Sequence, residues 1–509
     1  MQKVQVKKNS YYDSVTLMLI SRDVGSMEGV KEVMVGMGTD LNLELTEKLG
    51  IKSPELEGLT SNDFFIAADV ESEEVMAALE AKVEELLTAK ADAGASDYRP
   101  AGFDSAMQTM DLNLALISVA GQYAAEEADR ALDKGLHVLM FSDNVPVEDE
   151  VRLKEKARGK DLLMMGPDCG TAIINGVALA FANAVKRGDI GIVGASGTGS
   201  QEVSVLIDKF GGGVSQLIGT GGRDLSEKVG GITMIQGLEA LIEDEATKVI
   251  VLISKPPAES VAAKIYEIVK QSPKPVVVDF IGADPQPIRD AGGFACVNLE
   301  HAAAQAVALS RGQSPEDLAP LDEQWQKKAR EVASELSEEQ EYLLGLYTGG
   351  TLADEALKLL GNQLGGIYSN IAFDKEHQLD DLSDLNRHVV LDLGDDQFTQ
   401  GRPHPMIDPF TRNEHLESDV SKQTAVLLFD CVLGYGSHPD PAAEVAKSIN
   451  KLKENGITPV AVGSVCGTEG DPQDLRASQK VLEEAGAIIF PSNAKAVEFA
   501  GLVLGQGRA

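Results

Sequence analysis

One short sequence element occurs twice in this chain and restricts the possible folds more than any other feature. Residues 195–202 read ASGTGSQE, and residues 348–355 read TGGTLADE. Each copy follows an apolar stretch, contains Gly-Thr, and carries a glutamate four residues after that threonine. A buried strand that ends in a glycine-rich turn and continues as a helix is typical of parallel α/β proteins. The repeat therefore predicts two copies of one α/β domain.

The two glycine-rich turns also indicate an anion site. The first amides of a helix have no partners inside the helix, the helix dipole makes that end positive, and glycine lets a ligand approach the backbone. Neither copy has the Gly-Lys-Ser/Thr of a P-loop, so a purely structural N-cap is the alternative. If the two helix starts face each other, they hold one phosphate from both sides. The predicted phosphate ligands are Gly194, Ser196, Gly197, Thr198 and Gly199 in the first copy and Gly349, Gly350 and Thr351 in the second.

Strand and helix patterns alternate along almost the whole chain, which predicts an α/β protein with mainly parallel sheets. In the first segment we expect strands at Lys3–Lys8, Lys31–Met37 and Asp63–Asp69, followed by a turn-rich break at 89–105. The order of elements after residue 188 then recurs after residue 341. The predicted segments are 1–92, 110–187, 188–312, a linker helix at 313–340, and 341–509.

Composition excludes several classes of function. The chain has 509 residues and a formal net charge of −35, which argues against a nucleic-acid or anionic membrane surface as partner. It contains no apolar run of membrane-spanning length and no signal-peptide pattern at its start. The four cysteines are far apart, which fits reduced thiols in the cytoplasm and gives no metal signature. We therefore expect a cytoplasmic protein without a transition-metal site.

Three segments resemble the succinyl-CoA synthetase superfamily: LLMMGPDCGTAI, GIVGASGTGSQE and GLYTGGTLADEAL. The last two resemble the facing phosphate helices of that family's α and β subunits. More narrowly, GASGTG, GGRDLSEKVGG, SKPPAE, LYTGGTLA, LGDD and GRPHPMIDP together resemble the FdrA branch. The resemblance implies a remnant Rossmann-like CoA-binding domain at 110–187, flavodoxin-like ligase domains at 188–312 and 341–509, and a small α+β domain in front.

Departures from the family pattern bear on the chemistry. Where succinyl-CoA synthetases have a phosphorylated histidine, this chain has Asp290, and where they have the glutamate that steadies it, the chain has Lys255. The CoA-binding loop has no match in residues 1–111, and the sequence leaves no room for an ATP-grasp domain. A phosphate cradle without a phosphate carrier indicates chemistry on an acyl phosphate that arrives ready-made.

FdrA-like proteins are implicated as one subunit of oxamate carbamoyltransferase in allantoin breakdown. The resemblance therefore implies a transferase subunit that interconverts oxamate plus carbamoyl phosphate with oxalurate plus phosphate, working with other subunits of a hetero-oligomer and as a homo-oligomer as well. One alternative is an acyl-CoA synthetase, a ligase whose CoA or ATP sites come from partners. The other is a non-catalytic scaffold or anion-sensing subunit, and residues 1–92 are interpreted as an assembly domain.

Four residues are catalytic candidates. Arg223 can form a forked contact with a carboxylate or phosphate, and Lys255 ends a strand at the sheet edge where ligands bind. His404 lies between two prolines that hold its backbone extended, and Arg402 belongs to the same polar loop. The alternatives are an Arg–Asp pair that shapes a loop, a solvated lysine and an interdomain contact loop.

A further group of polar residues is predicted to bind the substrate. Asp168 and Cys169 lie in MGPDCGT, where a buried, inert thiol is the more usual outcome for the cysteine. The paired carboxylates of Asp395 and Asp396 could ligate Mg²⁺, with a solvated acidic loop as the alternative. The substrate-binding candidates are Asp168, Cys169, Asp224, Asp395, Asp408 and Arg412.

Overall fold

The computed structural model describes residues 1–505 except 11, 13, 93–102, 380, 383–384 and 400–401. The chain divides into two compact units. The first unit contains residues 1–112 and 399–404, and the second contains residues 113–398 and 405–509. The predicted turn-rich break at 89–105 falls largely on residues 93–102, which lie outside the described residues.

The first unit is built on a three-stranded antiparallel sheet with the strand order β1-β3-β2. Leu17 and Val24 of the first helix pack with Leu79 and Val83 of the third on one face of the sheet. The elements are β1 (Gln2–Lys7), α1 (Ser14–Gly25), β2 (Val30–Met37), α2 (Asp40–Lys48), β3 (Phe64–Val70), α3 (Glu73–Asp92) and α4 (Phe103–Thr109).

The second unit begins with a three-stranded parallel sheet in the order β4-β5-β6, followed by an antiparallel hairpin. The hairpin, β7–β8, extends the sheet of the next domain by pairing with β10, although the sequence groups it with residues 110–187. The elements are β4 (Leu114–Ile117), α5 (Gly121–Asp133), β5 (His137–Met140), α6 (Val147–Gly159), β6 (Met164–Met165), β7 (Thr171–Ile174) and β8 (Val177–Ala180).

The first repeat domain, residues 187–310, contains strands that are buried on both faces, as expected for a parallel sheet covered by helices. Its elements are β9 (Arg187–Gly194), α7 (Gly197–Lys209), β10 (Val214–Gly219), α8 (Ile232–Glu243), β11 (Val249–Ser254), α9 (Glu259–Gln271), β12 (Val276–Phe280), α10 (Gln286–Asp290), β13 (Phe294–Ala295) and α11 (Leu299–Ser310).

Helix α12 (Glu323–Glu335) then lies within the predicted linker and packs on the second repeat domain. The ring of Trp325 packs against that of Phe490 in a tilted arrangement, with the ring centres 4.7 Å apart.

The second repeat domain comprises residues 342–505. Its elements are β14 (Tyr342–Tyr347), α13 (Gly350–Leu360), β15 (Val389–Asp392), α14 (Asp396–Thr399), α15 (Phe410–Ser418), β16 (Thr424–Val432), α16 (Pro441–Glu454), β17 (Val460–Cys466), α17 (Leu475–Glu484), β18 (Ile488–Phe490) and α18 (Asn493–Gly505).

Strand order shows that the two repeat domains share one topology. The order is β13-β12-β11-β9-β10 in the first and β18-β17-β16-β14-β15 in the second, so each follows the flavodoxin-like order 2-1-3-4-5. One hydrophobic core runs through both domains, with Leu206 of α7 and Leu352 of α13 among its members. The predicted α/β fold class is confirmed. Within the described residues, no helix combines the length and the apolar character needed to cross a bilayer.

Candidate functional site

The starts of α7 and α13 meet at the centre of the second unit. Ser196 is the N-cap of α7, and its Oγ accepts a hydrogen bond of 3.0 Å from the amide of Gly199. The same Oγ lies 2.5 Å from Oγ1 of Thr351, the second residue of α13. Two helix N-termini therefore share one hydroxyl–hydroxyl contact, and their positive ends point to a common place.

Glycine is required at two points where the helices approach each other. A Cβ on Gly199 would lie 2.7 Å from Cγ2 of Thr351, and a Cβ on Gly349 would lie 2.7–2.8 Å from the side chain of Thr198. Only 9 % of Thr198 is exposed, and within the described part of the chain its hydroxyl has no hydrogen-bond partner. The contact thus leaves the hydroxyl of Thr198 without a partner among the described residues, beside the first amides of two helices.

Asp430, near the end of β16, holds the second glycine-rich turn. Its carboxylate accepts hydrogen bonds from the amides of Thr348 and Gly349, both 2.9 Å long. Arg412, predicted to bind substrate, is buried behind this carboxylate: its Nη1 donates to the Asp430 carbonyl at 2.7 Å and lies 3.5 Å from Oδ1. The structure therefore places Arg412 behind the turn, where it holds Asp430.

The repeated glutamates explain the spacing seen in the sequence. Glu202 of α7 accepts a 3.0 Å hydrogen bond from the amide of Asn493, which begins α18 in the other repeat domain. Glu355 of α13 accepts a 2.8 Å bond from the amide of Leu299, which begins α11. Each glutamate therefore caps a helix of the opposite domain, and burial raises the pKa of Glu355 to about 8. The sequence shows this spacing but not its role, because the partner amides lie in the other repeat domain.

Lys255 connects the two domains beside α13. Its Nζ lies 2.9 Å from Oδ2 of Asp354, a fully buried carboxylate on α13, while 55 % of the lysine side chain stays exposed. Burial raises the pKa of Asp354, and Lys255 opposes that shift. Asp392, at the end of β15, lies against the first residue of the same helix, because a Cβ on Gly350 would overlap its Oδ2. This acid was missed in the sequence, where it reads as the last residue of a strand.

Arg223 and Asp224 follow β10 and have different surroundings. Arg223 donates from Nε to Glu150 at 3.1 Å and from Nη2 to the Val145 carbonyl at 2.8 Å, and its side chain stays partly exposed. Asp224 is fully buried, pairs with Lys154 at 2.6 Å and accepts amide hydrogen bonds at the start of α8. Asp224 thus supports the loop, whereas Arg223 can still reach a ligand.

Asp168 and Cys169 lie on the loop after β6. Burial raises the pKa of Asp168 to about 7, neighbouring Asp143 and Asp396 add to the shift, and Arg223 opposes it. Part of Asp168 still reaches solvent. Burial raises the pKa of Cys169 to about 12, so its thiol stays protonated at neutral pH and is a poor nucleophile.

The remaining candidates lie in the loop after β15. Asp395 and Asp408 accept amide hydrogen bonds from Gln397 and Phe410 within their own turns. Arg402 and His404 belong to the first unit, and burial lowers the pKa of His404 to about 4. In the described residues, no three His, Cys, Asp or Glu side chains are arranged to hold a metal ion.

Comparison with known proteins fits this architecture. A family model described as CoA-ligase matches residues 346–503, one described as CoA binding domain matches residues 185–282, and one described as AllF, heavy metal-associated domain matches residues 1–101. The CoA-binding match covers the Gly-rich turn before α7 and overlaps the 110–187 segment, to which the resemblance assigned that domain, only at residues 185–187. Residues 1–101 contain neither cysteine nor histidine, so they do not fit a heavy-metal site.

The uncharacterized protein YahF of Escherichia coli is 45 % identical over 497 residues, which are 96 % of each chain. The chain belongs to the YahF family. The α subunit 2 of an ADP-forming succinate–CoA ligase of Archaeoglobus fulgidus is 26 % identical over 42 % of this chain and 78 % of its own. A solved structure of a dinucleotide-forming acetyl-coenzyme A synthetase 1 from Ca. Korarchaeum cryptofilum covers 78 % of this chain and 83 % of its own, at 14 % identity and a TM-score of 0.34. The family models and the succinate–CoA ligase relative support a superfamily of CoA-ligase-like proteins.

Buried acids in this region predict how stability changes with pH. Burial raises the pKa of Glu355 to about 8 and those of Asp279 and Asp392 to about 7. Between pH 6.5 and 8 the unfolded chain has already released these protons, while the folded protein still holds a part of them that shrinks as pH rises, so its free energy of unfolding falls as pH rises. We expect a lower urea midpoint at pH 8 than at pH 6.5 and a shallower decline in Glu355→Gln. A midpoint that rises with pH over this window would contradict the assignment.

Proposed function

We propose that this chain is an acyl-CoA-synthetase-like enzyme subunit that binds the phosphate end of an acyl phosphate between α7 and α13. The observation that carries the proposal is the meeting of two helix N-termini around the unpartnered hydroxyl of Thr198. Fixed amide and hydroxyl donors suit a group that becomes more negative as it leaves. Lys255 adds a cation beside the start of α13.

The replacement of the family's histidine favours direct acyl transfer over a phosphoenzyme. Asp290 stands at the family's histidine position, and its carboxylate accepts a hydrogen bond from Gln286 on its own helix. The histidines of the second unit all have local partners. These are Leu163 for His137, Gln305 for His301, Asp374 for His377, Leu343 for His388, Asp419 for His415 and Asp440 for His438.

Two molecules are candidates for the acceptor of the acyl group. The succinate–CoA ligase relatives favour the thiol of CoA, and the match to the CoA-binding model over the Gly-rich turn before α7 supports such a ligand. The resemblance to FdrA favours carbamoyl phosphate with oxamate as acceptor. The replacement of histidine and glutamate by Asp290 and Lys255 supports this second candidate, since a ready-made acyl phosphate needs no phosphate carrier.

The test uses the protein recovered from its own cells with its bound partners. Phosphate release is measured from carbamoyl phosphate with and without oxamate, and from acetyl phosphate with and without CoA. Release that depends on oxamate supports the transferase, and release that depends on CoA supports the synthetase. Acid-labile phosphate on the protein after turnover would contradict direct transfer.

Thr198→Val tests the site itself. The hydroxyl has no partner in the described fold and valine keeps its shape, so we expect unchanged stability. A lost hydrogen bond to a charged group should weaken phosphate binding by about 10- to 100-fold. Binding is measured by calorimetry with inorganic phosphate, and Ser334→Ala on the exposed surface of α12 is the control. Unchanged binding in Thr198→Val would favour the scaffold interpretation.

A further inference from the structure

Asp392 is held by the loop after β15 and lies at the start of α13. Its amide donates to Oδ1 of Asn370 and its carbonyl accepts from Nδ2 of Asn370, both at 3.0 Å. Its own Oδ1 accepts a 2.9 Å hydrogen bond from the amide of Gly394. Oδ2 has no such partner within the described chain and lies directly against Gly350, where only a glycine fits. One oxygen is thus committed to the loop, and the other faces the start of α13.

Resting on the proposed function, we infer that Asp392 in its acid form donates a hydrogen bond from Oδ2 to the anion bound at the start of α13. The site would therefore take up a proton together with its anion. An ionised Asp392 would instead place a negative charge where the phosphate oxygen must lie, and the two would repel each other. Because Oδ1 is engaged as an acceptor, Oδ2 is the oxygen that can carry the proton.

The charged groups around Asp392 act on its pKa in opposite directions. Asp354 on α13 and Asp395 on the same loop disfavour its ionised form, and Lys255 favours it. Burial is the largest influence and brings the pKa of Asp392 to about 7. Lys255 is already paired with Asp354, so it compensates a single carboxylate. A bound anion would raise the pKa of Asp392 further.

Sulfate is the suitable probe, since it is a tetrahedral dianion whose charge does not change between pH 6 and 8. If only the acid form of Asp392 binds, the competent fraction falls from about nine-tenths at pH 6 to about one-tenth at pH 8, and the apparent Kd rises about tenfold. Calorimetry at pH 7.5 in two buffers of different ionisation enthalpy counts the protons taken up with sulfate. We expect uptake of more than half a proton per site in the full-length wild-type protein.

Asp392→Asn tests the proton uptake by Asp392 separately from the anion site between α7 and α13. The amide can accept from Gly394 and donate to the anion without titrating, so sulfate should bind with a Kd that is independent of pH and without proton uptake. Asp161→Asn, an exposed change on the loop after α6, should behave as wild type.

Proton uptake that persists in Asp392→Asn, or a wild-type Kd that is equal at pH 6 and 8, overturns the role of Asp392 and leaves the anion site in place. If sulfate binds at neither pH, or if Thr198→Val leaves its binding unchanged, the anion site itself is wrong.

Discussion

Lys154→Ala is expected to lower the free energy of unfolding of the second unit by about 3–5 kcal/mol. Lys154 on α6 is fully buried, and its Nζ lies 2.9 Å from Glu150 and 2.6 Å from Asp224. It also donates to the carbonyl of Thr220 at 2.9 Å. Removal of the lysine leaves the buried carboxylate of Asp224 without a cation and Glu150 with only the partly exposed Arg223, which is among the largest effects of a single substitution.

A neighbouring lysine on the same helix provides a matched control. Lys156 forms partly exposed ion pairs with Asp129 and Asp133, so Lys156→Ala should lower stability by less than about 1 kcal/mol. Both variants are measured by urea unfolding monitored by circular dichroism. A combined change, Lys154→Met with Glu150→Gln and Asp224→Asn, removes the carboxylate charges as well and should destabilise less than Lys154→Ala alone. If the combined variant is the less stable of the two, unpaired charge is not the cause.

This network also connects stability to the candidate site. Asp224 accepts hydrogen bonds from the amides of Thr233 and Met234 at the start of α8, and Glu150 holds Arg223. Lys154 and Lys156, which look alike in the sequence, therefore differ in their roles. The sequence does not distinguish Lys154 from the other charged residues of α6, because its partner Asp224 lies 70 residues away.

What could be predicted from the sequence depended on local pattern and on repetition. The duplicated Gly-Thr turn predicted two domains of one fold, and their strand orders agree. The strands of the first segment were placed within one residue of β1, β2 and β3 at each end. These features follow from periodicity, glycine placement and burial of strands, which act over short distances along the chain.

Contacts between the repeat domains could not be predicted from the sequence. Glu202 and Glu355 cap helices of the opposite domain, and Lys255 meets Asp354, which is 99 positions later in the chain. Arg412 was read as a substrate ligand because charged residues in a polar loop usually face solvent, whereas burial against Asp430 makes it part of the framework. Which polar residues pair internally depends on how the two domains pack, and this packing decides which are left for a ligand.

Asp430→Ala should remove the anion site and destabilise the second unit together. The substitution takes away the acceptor that holds the amides of Thr348 and Gly349, and it leaves the cation of Arg412 buried without its carboxylate. We expect a loss of more than about 3 kcal/mol in the free energy of unfolding, since a broken buried pair and unsatisfied amides both contribute.

Measurements of phosphate binding distinguish the two roles of Asp430, which holds the second glycine-rich turn and pairs with Arg412. Asp430→Asn keeps an acceptor for one amide and removes the charge opposite Arg412, so it should lose stability but retain part of the phosphate affinity measured by calorimetry. Asp440→Ala, which removes an exposed N-cap from α16, is the control and should cost about 1 kcal/mol with phosphate affinity unchanged. Full phosphate affinity in a folded Asp430→Ala protein would show that the second glycine-rich turn does not need this carboxylate to hold its shape. The contribution of α13 to the site would then rest on Thr351 and its contact with Ser196 alone.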